Sequence, residues 1–565
     1  MNLARTYEGN KVPKFTKWFY PWSTLFRDMC YTLVGTFLLQ YTYTSGVLST
    51  NLETYQTQMH IITIAMMICL IWDGLNDPIM GFIVEKFHFK IGKFRPWILI
   101  GAIGNALAVM LLFTLRFEGT DGWGYVAAMI VFYVLWDTFF TMNDIGYWSM
   151  LPSLTNDPKE RAKLTTNVTV AASIGTVLMN VICFIGPSSF GLGAANAYKI
   201  IAISSALLFL VAQVIVFFFC QERKRDVVQE DVSSKSHFLD LFKTVWRNKQ
   251  LLTVVVALAL YYFASFILTG IGQNYFYMVF GYASGGYVAV AVSAFYILGT
   301  VLAQVFYPAL SKKFSKQTLL TATFFVIVAG YIAFFLFAFP LFGDTPLAYS
   351  TPLTSDASGA ADGSRLLSFL FAGPMWYIYV PALLFFAASG LYYLVILVMF
   401  QDAIDYNEWR YGERKESICF AWRPLDVKVA SGMNIGLRNL VFVSTGTMAF
   451  INVISNMEGL KNGGAFGADG KSEYTVDGAT NTFNGFLEQA RSSIEPKQLI
   501  LFGVIVIAVV IVAYAASYFL LHFGFKIDEK QEETIVKELE ERHAEHKEKA
   551  LSESLETIEA SEQIG

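Results

Sequence analysis

The sequence predicts an all-α polytopic membrane protein whose twelve transmembrane helices form two bundles of six. Three observations carry this. The chain has 565 residues, 55% of them hydrophobic and 15% charged, against about 25% charged for a soluble domain. Apolar stretches long enough to cross a bilayer, about 17 to 25 residues each, recur twelve times. Lys and Arg gather at alternate loops, the pattern that sets topology.

The spans lie near residues 22–48, 58–84, 97–115, 124–151, 165–187, 198–220, 251–280, 287–310, 318–342, 375–400, 417–455 and 498–523. Lys11, Lys14 and Lys17 precede the first. Lys86, Lys90, Lys93 and Arg95 follow the second, Lys159, Arg161 and Lys163 the fourth, and Arg223, Lys224 and Arg225 the sixth. Lys312, Lys313 and Lys316 follow the eighth, and Arg410, Arg414 and Lys415 the tenth, whereas "STNLETYQTQ" and "GYASGGY" at odd-span exits carry none. Both termini are therefore expected in the cytoplasm, the chain lying in the plasma (inner) membrane. Arg27 and Asp28 inside the first apolar stretch, with no convincing cleavage site, argue against a removable signal.

Residues 1–220 are expected to form the N-terminal six-helix bundle, 221–250 a cytoplasmic linker, 251–525 the C-terminal bundle and 526–565 a charged cytoplasmic tail. Two six-helix halves rocking about a midplane site are the layout of major-facilitator transporters. From Lys526 onward 13 Asp plus Glu face 6 Lys plus Arg, so the tail carries −7 and the rest +3 of the formal −4. Its Glu/Lys pairs at helical spacing read as a solvated helix. The Gly, Ser, Asp and Thr rich stretches 342–365 and 457–486 read as mobile external loops. The five cysteines lie in or beside spans and suggest neither disulfides nor zinc. "NVT" at Asn167 lies inside the fifth span, beyond the reach of a glycosyltransferase.

The charges inside the spans carry the functional argument. An ionised carboxylate at the bilayer centre costs about 2.5 to 3.5 kcal/mol on insertion scales, yet "IWDGLNDPIMG" places Asp73 and Asp77 one helical turn apart. Asn76 adds an oxygen beside them. Paired carboxylates repel unless a cation or proton intervenes, and hard oxygen donors suit a small hard cation. The alternative is a pair neutralised by Lys or Arg from neighbouring helices. In the fourth span Asp137, Thr141, Asp144 and Trp148 form one stripe. Carboxylates that accept sugar hydroxyls, beside an aromatic that stacks on the sugar ring, make a polyol pocket. Arg27 and Asp28, adjacent and hence on different helix faces, are expected to serve different neighbours. Arg423, Asp426 and Lys428 add charge in span eleven.

These residues carry a resemblance to a family. The chain resembles the glycoside-pentoside-hexuronide:cation symporters, typified by melibiose permease, across nearly all of spans one to eleven. The match rests on "RD" in span one, "IWDGLNDPIMG" with "GKFRPWILIG", "TMNDIGYWSMLP", "DAIDYNEWRYGERKESI" and the lysine of "DVKVASG". The resemblance implies a cation site at Asp73, Asn76, Asp77 and Thr141 with Asp144 nearby, Asp73 and Asp77 holding the metal ion if the cation is Na+. It implies a sugar site including Asp28, Asp144, Trp148, Tyr393 and Lys428, and a cytoplasmic charge network including Asp402, Asp405 and Arg414, with Arg27 counted among the gating charges.

The chain departs from the family pattern mainly around the sugar. Thr169 stands where the family often has an arginine, Tyr393 replaces a tryptophan, Arg423 replaces an amide, and Asp137 is an additional acid. Arg423 is placed with the sugar site; it either faces the substrate, which would favour a hexuronide, or pairs with Asp137 or Asp426, which would leave a neutral glycoside or pentoside.

The expected activity is symport of a sugar with an inward-moving cation by alternating access, with a lysolipid-type carrier, an uncoupled facilitator and a sensor as the rivals. No nucleophile, histidine and acid grouping and no nucleotide-binding loop suggests an enzyme. The expected partners are the sugar, a monovalent cation and the bilayer, without nucleic acid and without a second copy. No cofactor is expected beyond the coupling cation, Na+, Li+ or H+.

Overall fold

A computed structural model describes residues 6–7, 12–87, 89, 91–155, 157–189, 192–223, 245–349, 363–412, 422–467, 472–539 and 541–542. Twelve long helices dominate it. The first six are α1 (Lys14–Thr44), α2 (Leu52–Lys86), α3 (Arg95–Thr114), α4 (Trp123–Ser153), α5 (Pro158–Ser189) and α6 (Ala194–Phe219). The second six are α7 (Lys249–Phe280), α8 (Tyr282–Leu310), α9 (Lys316–Ala338), α10 (Trp376–Tyr411), α11 (Trp422–Ser444) and α12 (Pro496–Phe519).

Ten of these, α2 to α10 and α12, are long and apolar enough to cross a membrane by length and composition. The other two, α1 and α11, contain the charged runs already noted. At 31 and 23 residues they reach about 46 and 34 Å at a rise of 1.5 Å per residue, enough for a hydrocarbon core of about 30 Å. The chain is thus a multi-pass membrane protein with the twelve-helix major-facilitator fold.

Local chemistry sets the helix starts. The Asn51 side chain accepts the Glu53 and Thr54 N–H groups at 3.0 and 3.1 Å, and Asn248 does the same for Gln250 and Leu251 at 3.1 and 3.2 Å. Such caps satisfy donors that a helix N-terminus leaves orphaned. Where α1 crosses α5, a Cβ on Gly175 would stand 2.2 Å from the Leu25 carbonyl oxygen, so only glycine permits that approach. In the N-terminal half α1 packs on α5 and α6, and α3 on α4 and α6; in the C-terminal half α10 packs on α8 and α9, and α7 on α12. The halves meet along α2 with α11 and α5 with α8.

Three expectations need correction. Span eleven does not run straight to residue 455: α11 stops at Ser444 and, after a 99° bend, a helix Met448–Asn462 runs across the outer ends of the bundle. Gly446 at φ +72° makes that bend, and apolar residues on both sides conceal it from hydropathy. The described residues of the stretch 457–486, which are 457–467 and 472–486, hold regular elements rather than a loose loop. They contain the end of that cross helix, the hairpin Tyr474–Val476 with Ala479–Asn481, and the start of a helix Phe483–Ser492.

The tail is the third. Residues 529–539 are helical and dock where α9 begins and α10 ends. Ile535 and Leu539 are buried; Glu532 pairs with Lys316, Glu529 accepts the Lys316 N–H at 2.9 Å, and Glu538 accepts the Trp409 indole N–H at 2.6 Å. Two apolar residues four apart give this acidic helix a face to bury, so it is not simply solvated.

Candidate functional site

The N-terminal half contributes the acids. Asp73 and Asp77 lie on α2, and the lysine that answers them comes from the opposite half. Lys428 of α11 stands 2.9 Å from Asp73 Oδ1, pairs with Asp77 Oδ2, and donates to the Asp73 backbone carbonyl at 3.3 Å. One ammonium from the neighbouring helix thus offsets one of the pair's two negative charges. Lys428, expected on the sugar, lies on the acids because its four-carbon stem spans the α2–α11 contact. Thr141 is buried on α4 with its hydroxyl against Asp77. Asn76 is buried too, its amide nitrogen unpartnered. Asp137, also buried, faces Asp73 and leaves Oδ2 without a hydrogen bond.

Arg27 links the first span to the fourth. Its guanidinium lies 3.1 Å from Asp144 Oδ1 and 3.2 Å from Asp28 Oδ2. It is also 5.6 Å from the centre of the Trp148 ring. Arg27 and Asp28 do not serve separate neighbours, since the long arginine side chain reaches Asp28 on its own helix and Asp144 on α4 at once. Arg27 thus sits with Asp28, Asp144 and Trp148, three of the expected sugar-binding residues. Trp148 is 37% exposed, and the Asp144 and Asp77 side chains are 34% and 38% exposed. These groups keep open surface that a solute could cover.

The C-terminal half contributes hydroxyls. Arg423 donates to the Tyr393 hydroxyl at 2.7 Å, and the Tyr393 and Tyr262 hydroxyls are 3.0 Å apart. Tyr261 stacks on Tyr393 with ring centres 5.3 Å apart, and Ser389 bonds the Tyr514 hydroxyl at 2.8 Å. Among the described residues Arg423 pairs with neither Asp137 nor Asp426. Its Nε lacks a hydrogen bond, as does Asp426 Oδ2. Tyr262 and Tyr261 went unnoticed in the sequence; the signal was two tyrosine pairs, Tyr261–Tyr262 and Tyr392–Tyr393, in two apolar spans.

Thr169 is exposed, and its hydroxyl bonds only its own helix, at the Thr165 carbonyl. Toward the C-terminal end of α10 Asp402 pairs with Lys316, which joins it to Glu532 of the tail. Asp405 lies one turn further along α10, close enough to act on Asp402. Arg414 lies outside the described residues. Among the described residues no three His, Cys, Asp or Glu side chains converge on one point.

Where α1 ends and α2 begins, hydrogen bonds join the halves. Gln40 and Asn274 exchange two, at 3.1 and 2.9 Å. The cross helix adds Ser455 Oγ to the Gly46 N–H at 3.2 Å, and Asn456 to the Thr50 carbonyl at 3.1 Å.

A sequence profile of the family described as MFS/sugar transport protein matches residues 24–459. The chain belongs to that family. Within it stand the glycoside-pentoside-hexuronide symporters, transporters rather than enzymes, to which the motifs point. The raffinose carrier protein of Pediococcus pentosaceus is 25% identical over 427 residues, 74% of this chain and 60% of its own length. The isoprimeverose transporter of Lactiplantibacillus pentosus is 25% identical over 79% of this chain and 83% of its own length. The chain spans about 60% of the raffinose carrier and the other first relatives. Among solved structures, a bacterial homologue of the human lysosomal transporter Spinster, inward-facing and unoccupied, superposes with a TM-score of 0.55. It covers 90% of this chain and 97% of its own at 12% identity, which reports the fold alone.

Proposed function

We propose that this protein is a secondary active symporter that couples inward movement of Na+ or H+ to uptake of a sugar by alternating access. It sits in the plasma membrane of its cell with both termini in the cytoplasm. The observation that carries the reading is Lys428 reaching across from one half to pair with Asp73 and Asp77 on the other. A transported cation competes with that ammonium for the same two carboxylates. When it wins, Lys428 is released, the α2–α11 contact is remade, and the change reaches Asp144 through Thr141 and the rest of α4. By reciprocity, sugar held at Asp28, Asp144 and Trp148 raises cation affinity.

A glycoside or pentoside is the substrate class that the names of the relatives support. One observation favours a second reading, a hexuronide: Arg423 meets tyrosine hydroxyls and no carboxylate among the described residues, and a guanidinium left so can clamp an acidic sugar bidentately. A lysolipid carrier fits less well, because its apolar tail would have to cross Arg27, Asp28 and Asp144.

Uptake of labelled sugars into proteoliposomes under imposed sodium or pH gradients tests the main reading. Accumulation should follow one gradient and collapse in Asp77→Cys while exchange of sugar persists; cation-driven accumulation by Asp77→Cys would sink the assignment. Competition by a glucuronide against the matching glucoside, in wild type and Arg423→Gln, decides the substrate charge. Equal competition in both proteins would eliminate the hexuronide.

A further inference from the structure

Glu458 lies at the seam of the closed outer side, and the transport reading gives it no role. It belongs to the cross helix Met448–Asn462, which turns 99° away from the end of α11, and the 23 residues of α11 already reach across a hydrocarbon core by themselves. It is fully buried. Its Oε2 accepts the Ala194 N–H, at the first residue of α6 in the opposite half, at 2.6 Å. Its Oε1 faces the Tyr282 hydroxyl at the start of α8, and neither atom has another hydrogen-bond partner among the described residues.

The seat is tight. A Cβ on Gly46 of the N-terminal half would stand 2.3 Å from the Gly459 Cα, and Asn462 donates to the Ser45 carbonyl at 3.3 Å. Closing the outer side therefore requires Glu458 to leave water for a space between the halves.

The groups around it do not supply a full counter-charge. On its own helix Lys461 is one turn away, with its ammonium 4.4 Å from the centre of the Phe483 ring and no ion pair to Glu458. From α6, α7 and α8 come the hydroxyls of Tyr198, Tyr277 and Tyr282. On the helix Phe483–Ser492, Arg491 is taken by Glu488 and the Val279 carbonyl. Burial disfavours a charged carboxyl, whereas a neutral one keeps the Ala194 bond and can donate Oε1–H to the Tyr282 hydroxyl.

We propose that Glu458 is a proton-operated latch of the outer gate, neutral when the gate is closed and ionised when it is open. Burial pushes the closed-state carboxyl up to about 7, against the opposing pull of Lys461 and the Ala194 N–H. In the open state a hydrated glutamate titrates near about 4.3. Closure then takes up a proton from the outside, so lowering external pH favours the closed gate. Between about pH 4.3 and about 7 each pH unit shifts the closed-to-open ratio by up to about tenfold, and the dependence flattens above. The proton enters and leaves at the same face. It tunes the gate and carries no charge across the membrane.

The test is an electron–electron distance measurement between spin labels at Thr57→Cys and Asp477→Cys. Both positions are exposed, one on the outer end of each half. The background has its five cysteines changed to alanine and retains uptake. The wild-type latch should hold one short distance at pH 5 and gain a longer population as pH rises to 7.5. Glu458→Gln, which cannot ionise, should keep the short distance throughout. Lys461→Met, which removes the nearest cation, should extend the sensitive range to higher pH. A wild-type distribution that does not change between pH 5 and 7.5 overturns the proposal, and so does an unaltered wild-type response in Glu458→Gln. If Glu458→Gln does not fold, an unaltered response in Lys461→Met overturns it instead.

Discussion

The two halves face the site with different chemistry. The N-terminal half presents Asp28, Asp73, Asp77, Asp137 and Asp144, with Arg27 as the cation tied to Asp28 and Asp144. The C-terminal half presents the tyrosines 261, 262, 393 and 514 with Arg423, and sends Lys428 across. An acid-rich wall suits an ion whose charge must be matched. A hydroxyl-rich wall can hold an uncharged polyol without an unpaired charge to bury. On the proposed symport reading the contrast concentrates coupling in one half, with Lys428 as the tether by which the other half senses it.

The sharpest way to break that division is Lys428→Ala. It leaves Asp73 and the partly exposed Asp77 with no counter-charge, which destabilises by less than the about 3 kcal/mol or more of a fully buried pair that loses one partner, because solvent reaches Asp77. Cation-driven accumulation should vanish and thermal stability should drop. Changing Asp73 to Asn in the same protein should restore much of the stability but not the accumulation. Thermal melting in detergent alongside proteoliposome uptake reads both, and normal accumulation by Lys428→Ala would end the tether idea.

Next comes Asp144→Ala, which frees Arg27 from one of its two carboxylates and removes a charge-assisted acceptor for sugar hydroxyls. Loss of one hydrogen bond involving a charged group is worth about 1.5 to 3 kcal/mol, so calorimetry should find sugar affinity at least tenfold weaker. An unchanged affinity would move the sugar away from the acidic wall.

A smaller effect is expected on the hydroxyl side. Tyr393→Phe removes the acceptor of Arg423 and the partner of Tyr262. At about 1 kcal/mol for a neutral hydrogen bond, affinity should fall several-fold while cation stimulation stays as it was. If cation stimulation is lost instead, the halves do not divide the work in this way.

Much of this arrangement was legible in the sequence and some was not, for identifiable reasons. Charges are costly in a membrane, so Asp73, Asp77, Asp144 and Arg27 stand out in any reading of the chain. Spacing within one helix says which side chains share a face, hence the stripe of Asp137, Thr141, Asp144 and Trp148. It does not say which helix lies opposite. That Lys428 meets Asp73 depends on two residues 355 positions apart, and the pairing of Arg423 with Tyr393 depends on the α10–α11 approach. The turn at Gly446 was hidden because the residues on either side are equally apolar. In the tail, a surface of Glu and Lys outweighed Ile535 and Leu539, although their spacing of four was there to be read.

The least effect is expected from deleting residues 530–565. The acidic composition alone predicts no change in transport, whereas the docked helix predicts that Lys316 loses Glu532 and Trp409 loses Glu538. Turnover should change by a few-fold at normal membrane abundance, and substrate affinity should not move. Identical kinetics would mean that the tail is only packed, not used.

The docked tail also divides the labour mechanically. Its contacts at Lys316, Trp409 and the Trp409 carbonyl, which Arg542 reaches at 3.1 Å, all lie on α9 and α10 of one half. It braces that half as a bracket stiffens a beam and leaves the other unbraced. If the halves rock as proposed, the C-terminal half would be the stator and the acid-bearing half the rotor, so a rigid reporter fused to the tail would register little of the stroke that a reporter on the N-terminal bundle would follow.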